Sequence, residues 1–292
     1  MSPRTIARAS ARALRSFARG RPVWACAVGL LLSITPLLPQ SAWAQADDCD
    51  QDTDPNCPTP LSRSLDAIKA YVTAPLHWTG TDWLYFGGAI AAIGIAHEFD
   101  GRVRTHFTGN SPAALNNTNT HDLQDALPAA ALFVGTLGYA NLINDDNGRR
   151  EARTMIESAV LSVGTAYMLK YAAGRQRPDQ TTDPNRWLAS GGSFPSVHAT
   201  AAFAIGTVLA ESGNDEYRWA RRLLGYGVAG FTAYERLGHN AHWLSDTVAG
   251  AALGAATARF AMNRSRNPEQ SSSVGLAPLN HGVMLSYTAQ LP

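Results

Sequence analysis

Six runs of apolar and small residues without a charged side chain dominate this sequence and limit the folds that are open to it. None of them alternates apolar and polar residues as a half-buried strand does, so each run predicts a helix. Turn-rich segments separate the runs, among them Thr108–Thr120 and Asp145–Arg149. The core is therefore predicted to be an all-α helical bundle. The runs are Trp83–Ala96, Ala126–Asn144, Ser158–Leu169, Ala199–Ala210, Leu223–Tyr234 and Thr247–Ala258.

The length and composition of these runs bear on the solvent around the bundle. A spanning helix needs roughly 20 apolar residues, and most of the runs meet a charge before that length. The runs are rich in alanine and glycine, and the mean hydropathy of the chain is −0.14. A soluble or peripherally attached bundle is therefore favoured over a six-span membrane protein. Ala126–Asn144 is the exception because it is long enough to span, and Gly250 and Gly254 suit close helix packing in either solvent.

The 292 residues, 45 % of them hydrophobic, are enough for one large helical domain with flanking segments. We predict, in order, a signal peptide at 1–44, a flexible acidic lead-in at 45–60, the helical domain at 61–263, and a polar linker with a β tail at 264–292. In the tail, Val283, Leu285 and Tyr287 alternate with other residues, which predicts a strand. It would form a small hairpin with Val274–Leu279, although a loosely attached tail is the alternative.

The N-terminus has the three parts of a secretory signal peptide. An arginine-rich start precedes an apolar run at Val23–Leu38, and small residues lead up to Ala44, where we predict cleavage. The mature protein would then be periplasmic or secreted. A retained anchor is the alternative, which would make an integral inner-membrane protein with a periplasm-facing site; an organelle transit peptide is another. Cys49 and Cys57 remain after cleavage and would close a surface loop in an oxidising compartment.

Charge excludes one large class of function. The first 44 residues contain six arginines and no acidic residue, so their removal leaves 18 basic against 23 acidic side chains and a net charge of −5. General nucleic-acid binding requires a basic face, and this balance argues against it. Nucleic acid is therefore not an expected partner, whereas a membrane surface is a candidate. The sequence does not indicate an oligomeric state.

Lys170 and Arg177 begin a series of three short clusters that contain most of the chemistry-bearing residues. They are seven residues apart, so they would share one face if their helix continued to Pro178. Two cations would then point at one place, although a solvated basic face is the ordinary alternative. Arg175, two residues before Arg177, would point elsewhere on that helix and is expected to be a surface charge.

The second cluster is Pro195-Ser196-Val197-His198, which follows Ser193 and is typical of a helix entry. His198 would lie in the first helical turn. The N–H groups and the dipole at a helix N-terminus favour a phosphate, and the Ser196 hydroxyl would add a donor. The alternative is an ordinary capped helix with a solvated histidine.

The third cluster is Arg236, His242 and Asp246. A separation of four puts His242 and Asp246 on one face of a helix, where the carboxylate can hold the Nδ1 proton and leave Nε2 free to attack phosphorus. Arg236 would reach the same pocket from the preceding loop. Two alternatives remain open, namely a structural histidine–aspartate hydrogen bond and a metal site that also includes His239.

In this order and spacing, the three clusters resemble the signature motifs of the type 2 phosphatidic acid phosphatase and vanadium haloperoxidase superfamily, in particular bacterial phosphatases with a signal peptide. The resemblance runs from about Glu151 to Asn263. It departs from the family pattern at Val197, where glycine is usual, and at Glu235, where serine is usual. The fold that it implies is the helical bundle of that superfamily, in agreement with the periodicity.

The resemblance also implies a role for each residue. His242 would attack phosphorus to form a phosphohistidine, Asp246 would orient it, and His198 would protonate the leaving alcohol and then activate water. No metal or other cofactor is implied. The phosphate-binding residues would be Lys170, Arg177, Ser196, Val197 and Arg236.

The expected function is a metal-independent, membrane-associated or periplasmic phosphatase. It would act on phosphomonoesters or diphosphates, which includes lipid phosphates, isoprenoid diphosphates and soluble phosphoesters. One alternative is a vanadium-dependent haloperoxidase, because the same oxyanion pocket can hold vanadate. The other is a catalytically inactive phosphate- or lipid-binding envelope protein, which the departures at Val197 and Glu235 suggest.

Overall fold

The computed structural model describes residues 60–108, 118–213, 217–266, 273–279 and 282–288. These residues form eight α-helices, a short 3₁₀ turn at Ala74–His77 and a two-stranded sheet. The helices are α1 Pro60–Thr73, α2 Gly80–Glu98, α3 Asp100–Thr108, α4 Thr118–Leu142, α5 Asp146–Ala173, α6 Val197–Glu211, α7 Arg218–Gly238 and α8 Leu244–Arg266. The strands are β1 Ser273–Leu279 and β2 Gly282–Thr288.

The all-α prediction is confirmed, and each of the six apolar runs lies mainly or wholly within its own helix. The helices extend beyond most of the runs because charged residues occupy their exposed ends. One predicted turn is wrong for this reason. Asp145 is the N-cap of α5 and accepts a hydrogen bond from the Asn147 N–H, so most of Asp145–Arg149 is helical. Helices α1 and α3 were not predicted, since both contain charged residues and lack an uncharged run.

Helix α6 is the centre of the bundle, because twelve of its 15 residues are buried. Helices α5, α7 and α8 pack around it. Its apolar residues join those of α4, α5, α7 and α8 in one core that includes Phe133, Met155, Val208, Ala229 and Met262. The N-terminus of this central helix is therefore held by neighbours on several sides, and it carries the second motif cluster.

Glycines allow the backbones of these helices to approach closely, as the sequence suggested for Gly250 and Gly254. A Cβ atom on Gly250 would lie 2.6 Å from the Ser196 carbonyl oxygen, and one on Gly254 would lie 2.3 Å from the Thr200 carbonyl oxygen. Neither oxygen can move without moving α6. This close contact fixes the distance between α6, which follows its N-cap Ser196, and α8, which begins two residues after His242.

Replacing Gly254 by alanine is expected to destabilise the protein by about 1–3 kcal/mol relative to a matched control, because the new methyl group would overlap the α6 backbone. Gly227→Ala is the control, since a Cβ there meets nothing within 4 Å in the described part of the chain. Both changes bring the same gain in helix propensity, so their difference isolates the overlap. Urea unfolding followed by circular dichroism measures it, and equal midpoints for the two variants would contradict the packing argument.

The predicted hairpin is present in the tail. Strands β1 and β2 pair antiparallel, with Leu279 opposite Gly282 beside the turn and Val274 opposite Tyr287 near the other end. The signal peptide predicted for 1–44, together with Cys49 and Cys57, lies outside the described residues. Those expectations stay predictions.

The prediction that Ala126–Asn144 could span a membrane is wrong. Among the helices that the structure describes, none combines the length and the apolar character needed to cross a membrane. This includes α4, which contains most of Ala126–Asn144 and has 25 residues, with His121, Asp122 and Asp125 in its first half.

Candidate active site

The three motif clusters meet at one end of the bundle, although they come from separate elements. Charged residues of one cluster lie close enough to shift the pKa values of groups in the other two clusters. Burial lowers the pKa of Lys170 most, and the charges of Arg177 and Arg236 lower it further. Burial likewise lowers the pKa of His242 most, followed by the charges of the three cations Arg236, Lys170 and Arg177. Burial, followed by Arg236 and His242, lowers the pKa of His198. The structure therefore brings the predicted cations and histidines into one site.

Lys170 and Arg177 reach this site by a different route from the predicted one. Helix α5 ends at Ala173, and Gly174 at φ 53° caps it in the left-handed conformation. Arg177 consequently lies in the following loop and does not share a helical face with Lys170. The loop returns to the helix end, where the Leu188 N–H donates to the Ala173 carbonyl oxygen, 2.9 Å. The Lys170 ammonium group donates to the carbonyl oxygen of Gly192 in the same loop.

The helix entry at Ser196 is confirmed. Ser196 is the N-cap of α6, its hydroxyl accepts from the Ala199 N–H at 3.4 Å, and His198 lies in the first turn. The Ser196 N–H, however, donates to the Asp246 carbonyl oxygen at 3.0 Å. That N–H therefore ties α6 to α8. The first turn, including Val197, is buried against its neighbours.

His242 lies just before α8, so it does not share a helical face with Asp246 as predicted. The helix begins at Leu244 and has Asp246 in its first turn. The tight entry still brings the two side chains together, with His242 Nδ1 3.7 Å from Asp246 Oδ2. This distance is longer than a hydrogen bond, and Nδ1 has no hydrogen-bond partner among the described residues. Both side chains are buried.

Asp246 is held by three donors besides its contact with His242. The Ser193 hydroxyl and the Trp243 N–H, at 2.9 Å, donate to Oδ2, and Arg175 donates to Oδ1 at 2.7 Å. Burial raises the pKa of Asp246, whereas Arg175 and these hydrogen bonds lower it. The carboxylate is thus oriented by the protein around it.

The surface position predicted for Arg175 is wrong. The side chain is fully buried, its carbon Cζ lies 4.4 Å from the ring centre of Trp187, and its guanidinium group also donates to Asp100 at 2.7 Å. Because α5 ends before Arg175, the helical spacing used for the prediction does not apply. Its acidic partners are 71 and 75 residues away, so no local pattern could have identified them.

Asp100, at the start of α3, is a second buried group that the sequence did not reveal. Its carboxylate accepts from the Ser245 N–H at 2.8 Å and from the Ser245 hydroxyl at 2.7 Å. His97 Nδ1 lies 2.9 Å from the same carboxylate. Asp100 and Asp246 thereby hold Arg175 from both sides and anchor the first turn of α8.

Arg236 lies in the last turn of α7, and not in a loop as predicted. The side chain is buried, and its Nη1 donates to Asp122 Oδ1 at 2.8 Å and to Asp125 Oδ2 at 2.5 Å, both from α4. Its Nε and Nη2 atoms are buried and have no partner among the described residues. His198 Nε2 lies 2.9 Å from the Asp122 carbonyl oxygen. Helix α4 is therefore part of the site, although the sequence did not place it there.

Burial sets the charge of the titratable groups in the site. It lowers the pKa of His198 and of His242 well below the usual range, with a further contribution from Arg236. Both imidazoles are therefore neutral at neutral pH. Burial, followed by the charge of Arg177, lowers the pKa of Lys170 to about 7.

The alternative metal site of His239, His242 and Asp246 is not formed. His239 Nδ1 lies 3.3 Å from Asp125 Oδ2, and Nε2 lies 3.5 Å from Glu235 Oε2. In the described part of the chain, the group of histidine and acidic side chains close enough to share an ion is Asp125, Glu235 and His239.

Comparison with known proteins finds a family similarity in the second half of the helical domain. The family model described as the PAP2 superfamily matches residues 151–269. The three motif clusters therefore lie in a segment of the helical domain that is similar to the PAP2 superfamily. The PAP2 match contains every residue that the sequence proposed for the site, whereas Asp100, Asp122 and Asp125 precede it.

The chain is also similar to individual proteins. It is 29 % identical over 233 residues to a protein named lipid A 1-phosphatase from Porphyromonas gingivalis, with 77 % of this chain and 47 % of that protein covered. The chain thus spans about half the length of this relative. The crystal structure of Aquifex aeolicus LpxE is 22 % identical and aligns with a TM-score of 0.34, covering 52 % of this chain and 96 % of that one.

Proposed function

We propose that this chain is a metal-independent phosphatase that acts on a lipid phosphate, with the 1-phosphate of lipid A as the leading substrate. The observation that carries the proposal is the convergence of Lys170, Arg177 and Arg236 around a buried, neutral His242. The match to the PAP2 superfamily model and the name of the Porphyromonas relative support the substrate class.

The three cations would hold the phosphoryl oxygens. Arg236 supports this role because Nη1 is held by two carboxylates while Nε and Nη2 are buried without a partner among the described residues. Buried donors without a partner are costly, and an oxyanion would satisfy both. In phosphoryl transfer the charge that develops on the oxygens is the main target of stabilisation, so preorganised cations lower the barrier.

His242 would be the nucleophile. A neutral imidazole has a free electron pair, and its Nε2 would form a bond to phosphorus as the bond to the alcohol oxygen breaks. Asp246 would hold the proton on Nδ1, which requires the present 3.7 Å separation to shorten to a hydrogen bond. Its three other donors keep the carboxylate in place for that contact.

His198 would give the alcohol its proton and then take one from the water that hydrolyses the phosphohistidine. In the structure its pKa is lowered by burial, then by Arg236 and His242. A phosphate dianion bound to Arg236 would offset that positive charge and raise the pKa of His198 toward the range of a general acid. Substrate binding would thus prepare the first proton transfer.

The decisive experiment is a substrate panel with the purified full-length protein in detergent and excess EDTA. It comprises lipid A, phosphatidate, isoprenyl diphosphate and a soluble monophosphate. We expect phosphate release from lipid A, faster than from the soluble ester. Hydrolysis of the soluble ester alone would reject the lipid substrate. Activity that requires added zinc would reject the metal-independent mechanism, and halide oxidation that requires added vanadate would favour a haloperoxidase.

We also propose that the mature protein acts at the periplasmic side of a membrane, after cleavage at Ala44. Helix α2 supports contact with a membrane surface because Trp83, Leu84, Tyr85 and Phe86 are all exposed on it. Mass spectrometry of the protein from a cell-envelope fraction checks the cleavage, which should leave Gln45 as the first residue. A full-length chain that retains residues 1–44 would reject it.

Lys170 predicts how anion binding depends on pH. The pKa of Lys170 is lowered to about 7, so the cationic clamp formed by Lys170, Arg177 and Arg236 has its full charge below pH 7. It loses one charge as the pH rises through that value. We expect the affinity for tungstate, whose charge is constant in this range, to fall above pH 7 by up to about tenfold per pH unit. Lys170→Arg should weaken this dependence above pH 7, because arginine stays charged.

Isothermal titration calorimetry between pH 6 and 9 measures this affinity, with Lys69→Arg as the control because Lys69 is exposed on α1. The Lys69 variant should keep the wild-type profile. Identical pH profiles for the wild type and Lys170→Arg would contradict the assignment of the titrating group to Lys170.

A further inference from the structure

A cluster of three potential metal ligands lies beside the phosphate site and plays no part in the mechanism above. Asp125 comes from α4, and Glu235 and His239 come from α7, with their ligand atoms within 4.8 Å of one another. Glu235 and His239 are four residues apart, so they lie on one face of their helix. The cluster therefore joins two helices of the bundle.

The same three residues line a cleft of about 210 Å³, which has room for several water molecules. Thr232 also lines this cleft, one helical turn before Glu235. Its hydroxyl oxygen is buried and has no hydrogen-bond partner among the described residues. A buried hydroxyl without a partner is costly, and a bound ion or the water on it would satisfy this oxygen.

Carboxylates predominate among the charged groups of the cleft. Asp125 and Glu235 line it, and its described lining residues include no lysine or arginine, although Arg236 forms an ion pair with Asp125. Arg236 Nη1 engages one oxygen of Asp125, which leaves its second oxygen for another cation. Carboxylates in excess over cations at a partly buried place favour a divalent ion.

We propose that Asp125, Glu235 and His239 bind a divalent transition-metal ion of the zinc class. A mixed set of two carboxylate oxygens and one imidazole nitrogen suits such an ion, with water in the remaining position. Ligands of a tetrahedral ion lie about 3.4 Å apart, and the ligand atoms here lie within 4.8 Å of one another, so the three side chains would close in around the ion when it binds. The site is separate from the phosphohistidine mechanism and does not rest on it.

The competing explanation is a protonated His239 that bridges the two carboxylates. Its ring nitrogens lie 3.3 Å from Asp125 and 3.5 Å from Glu235, which fits two N–H donors. A metal ion needs one nitrogen without a proton, whereas the bridge needs protons on both. Metal binding therefore separates the two explanations directly.

The test is calorimetric titration of the metal-free, full-length protein with zinc chloride at pH 7.5. We expect Glu235→Gln and His239→Gln each to lose one equivalent that the wild type binds. Glu98→Gln and His106→Gln are matched controls, since both residues are exposed, and they should keep it. Equal stoichiometry in the wild type and both site variants would overturn the proposal, whatever other zinc sites the chain has.

Thermal unfolding provides a second measurement that does not depend on the stoichiometry. An ion that joins α4 to α7 binds the folded chain alone, so zinc at a hundredfold excess over Kd should raise the wild-type Tm by about 5 °C. The same addition should leave the Tm of Glu235→Gln unchanged. With EDTA present, comparable Tm values for the two proteins establish that the variant is folded. A zinc-dependent rise of equal size in both would overturn the site.

Discussion

Replacement of His242 by glutamine is expected to lower kcat for lipid phosphate at least about 10³-fold, because the side chain that forms the bond to phosphorus is lost. Glutamine keeps the polarity and approximate size at this buried position, so the fold should survive. KM should change far less than kcat, since the cationic clamp is intact. Steady-state phosphate release with the purified variant measures both constants.

His106→Gln is the matched control for this experiment, because His106 is exposed on α3. It should keep wild-type rates. Rapid acid-free denaturation during turnover of ³²P-labelled substrate adds a direct test, since labelled protein should form with the wild type and not with His242→Gln. A His242→Gln variant that retains wild-type kcat would exclude the phosphohistidine mechanism and leave the clamp as a binding site.

Replacement of Arg175 by methionine is expected to destabilise the protein by about 3–5 kcal/mol, which corresponds to a fall in Tm of about 10 °C. Arg175 is fully buried between Asp100 and Asp246, and its loss leaves two buried carboxylates without their cation. Methionine fills part of the same buried space with an uncharged, unbranched side chain, so the loss of the guanidinium charge and its hydrogen bonds dominates the effect. Urea unfolding gives the free energy directly.

Arg186→Met is the control, since Arg186 is exposed on the same loop, and it should shift the unfolding midpoint little. The double variant Arg175→Met with Asp100→Asn should be more stable than the sum of the single effects predicts, because one of the uncompensated charges is also removed. Additive effects, or equal midpoints for Arg175→Met and Arg186→Met, would show that this ion pair does not anchor α8.

Much of the fold could be predicted from the sequence, because helix formation depends on local patterns. The six uncharged runs predicted six helices, and the Ser196 cap predicted the start of α6. The ends of the helices were less certain, since polar residues continue a helix on its exposed face. The two unpredicted helices, α1 and α3, have the same cause.

Part of the candidate site could also be predicted from local sequence patterns. Lys170, Ser196 and His242 belong to short motifs whose order is visible along the chain, and the structure brings these motifs together. Their local geometry was wrong where it assumed helix, at Arg177 and at His242. Both residues lie in connections whose course depends on the elements at either end.

By itself, the sequence determined the helical character of the chain, the start of the central helix and the three clusters of chemistry-bearing residues. These features depend on residues within one or two helical turns of each other. Only the tertiary structure decided that Arg175 is buried between Asp100 and Asp246, and that α4 supplies Asp122 and Asp125 to Arg236. Such pairs join residues 71 to 114 positions apart, and their energy comes from burial that exists only after the helices have packed.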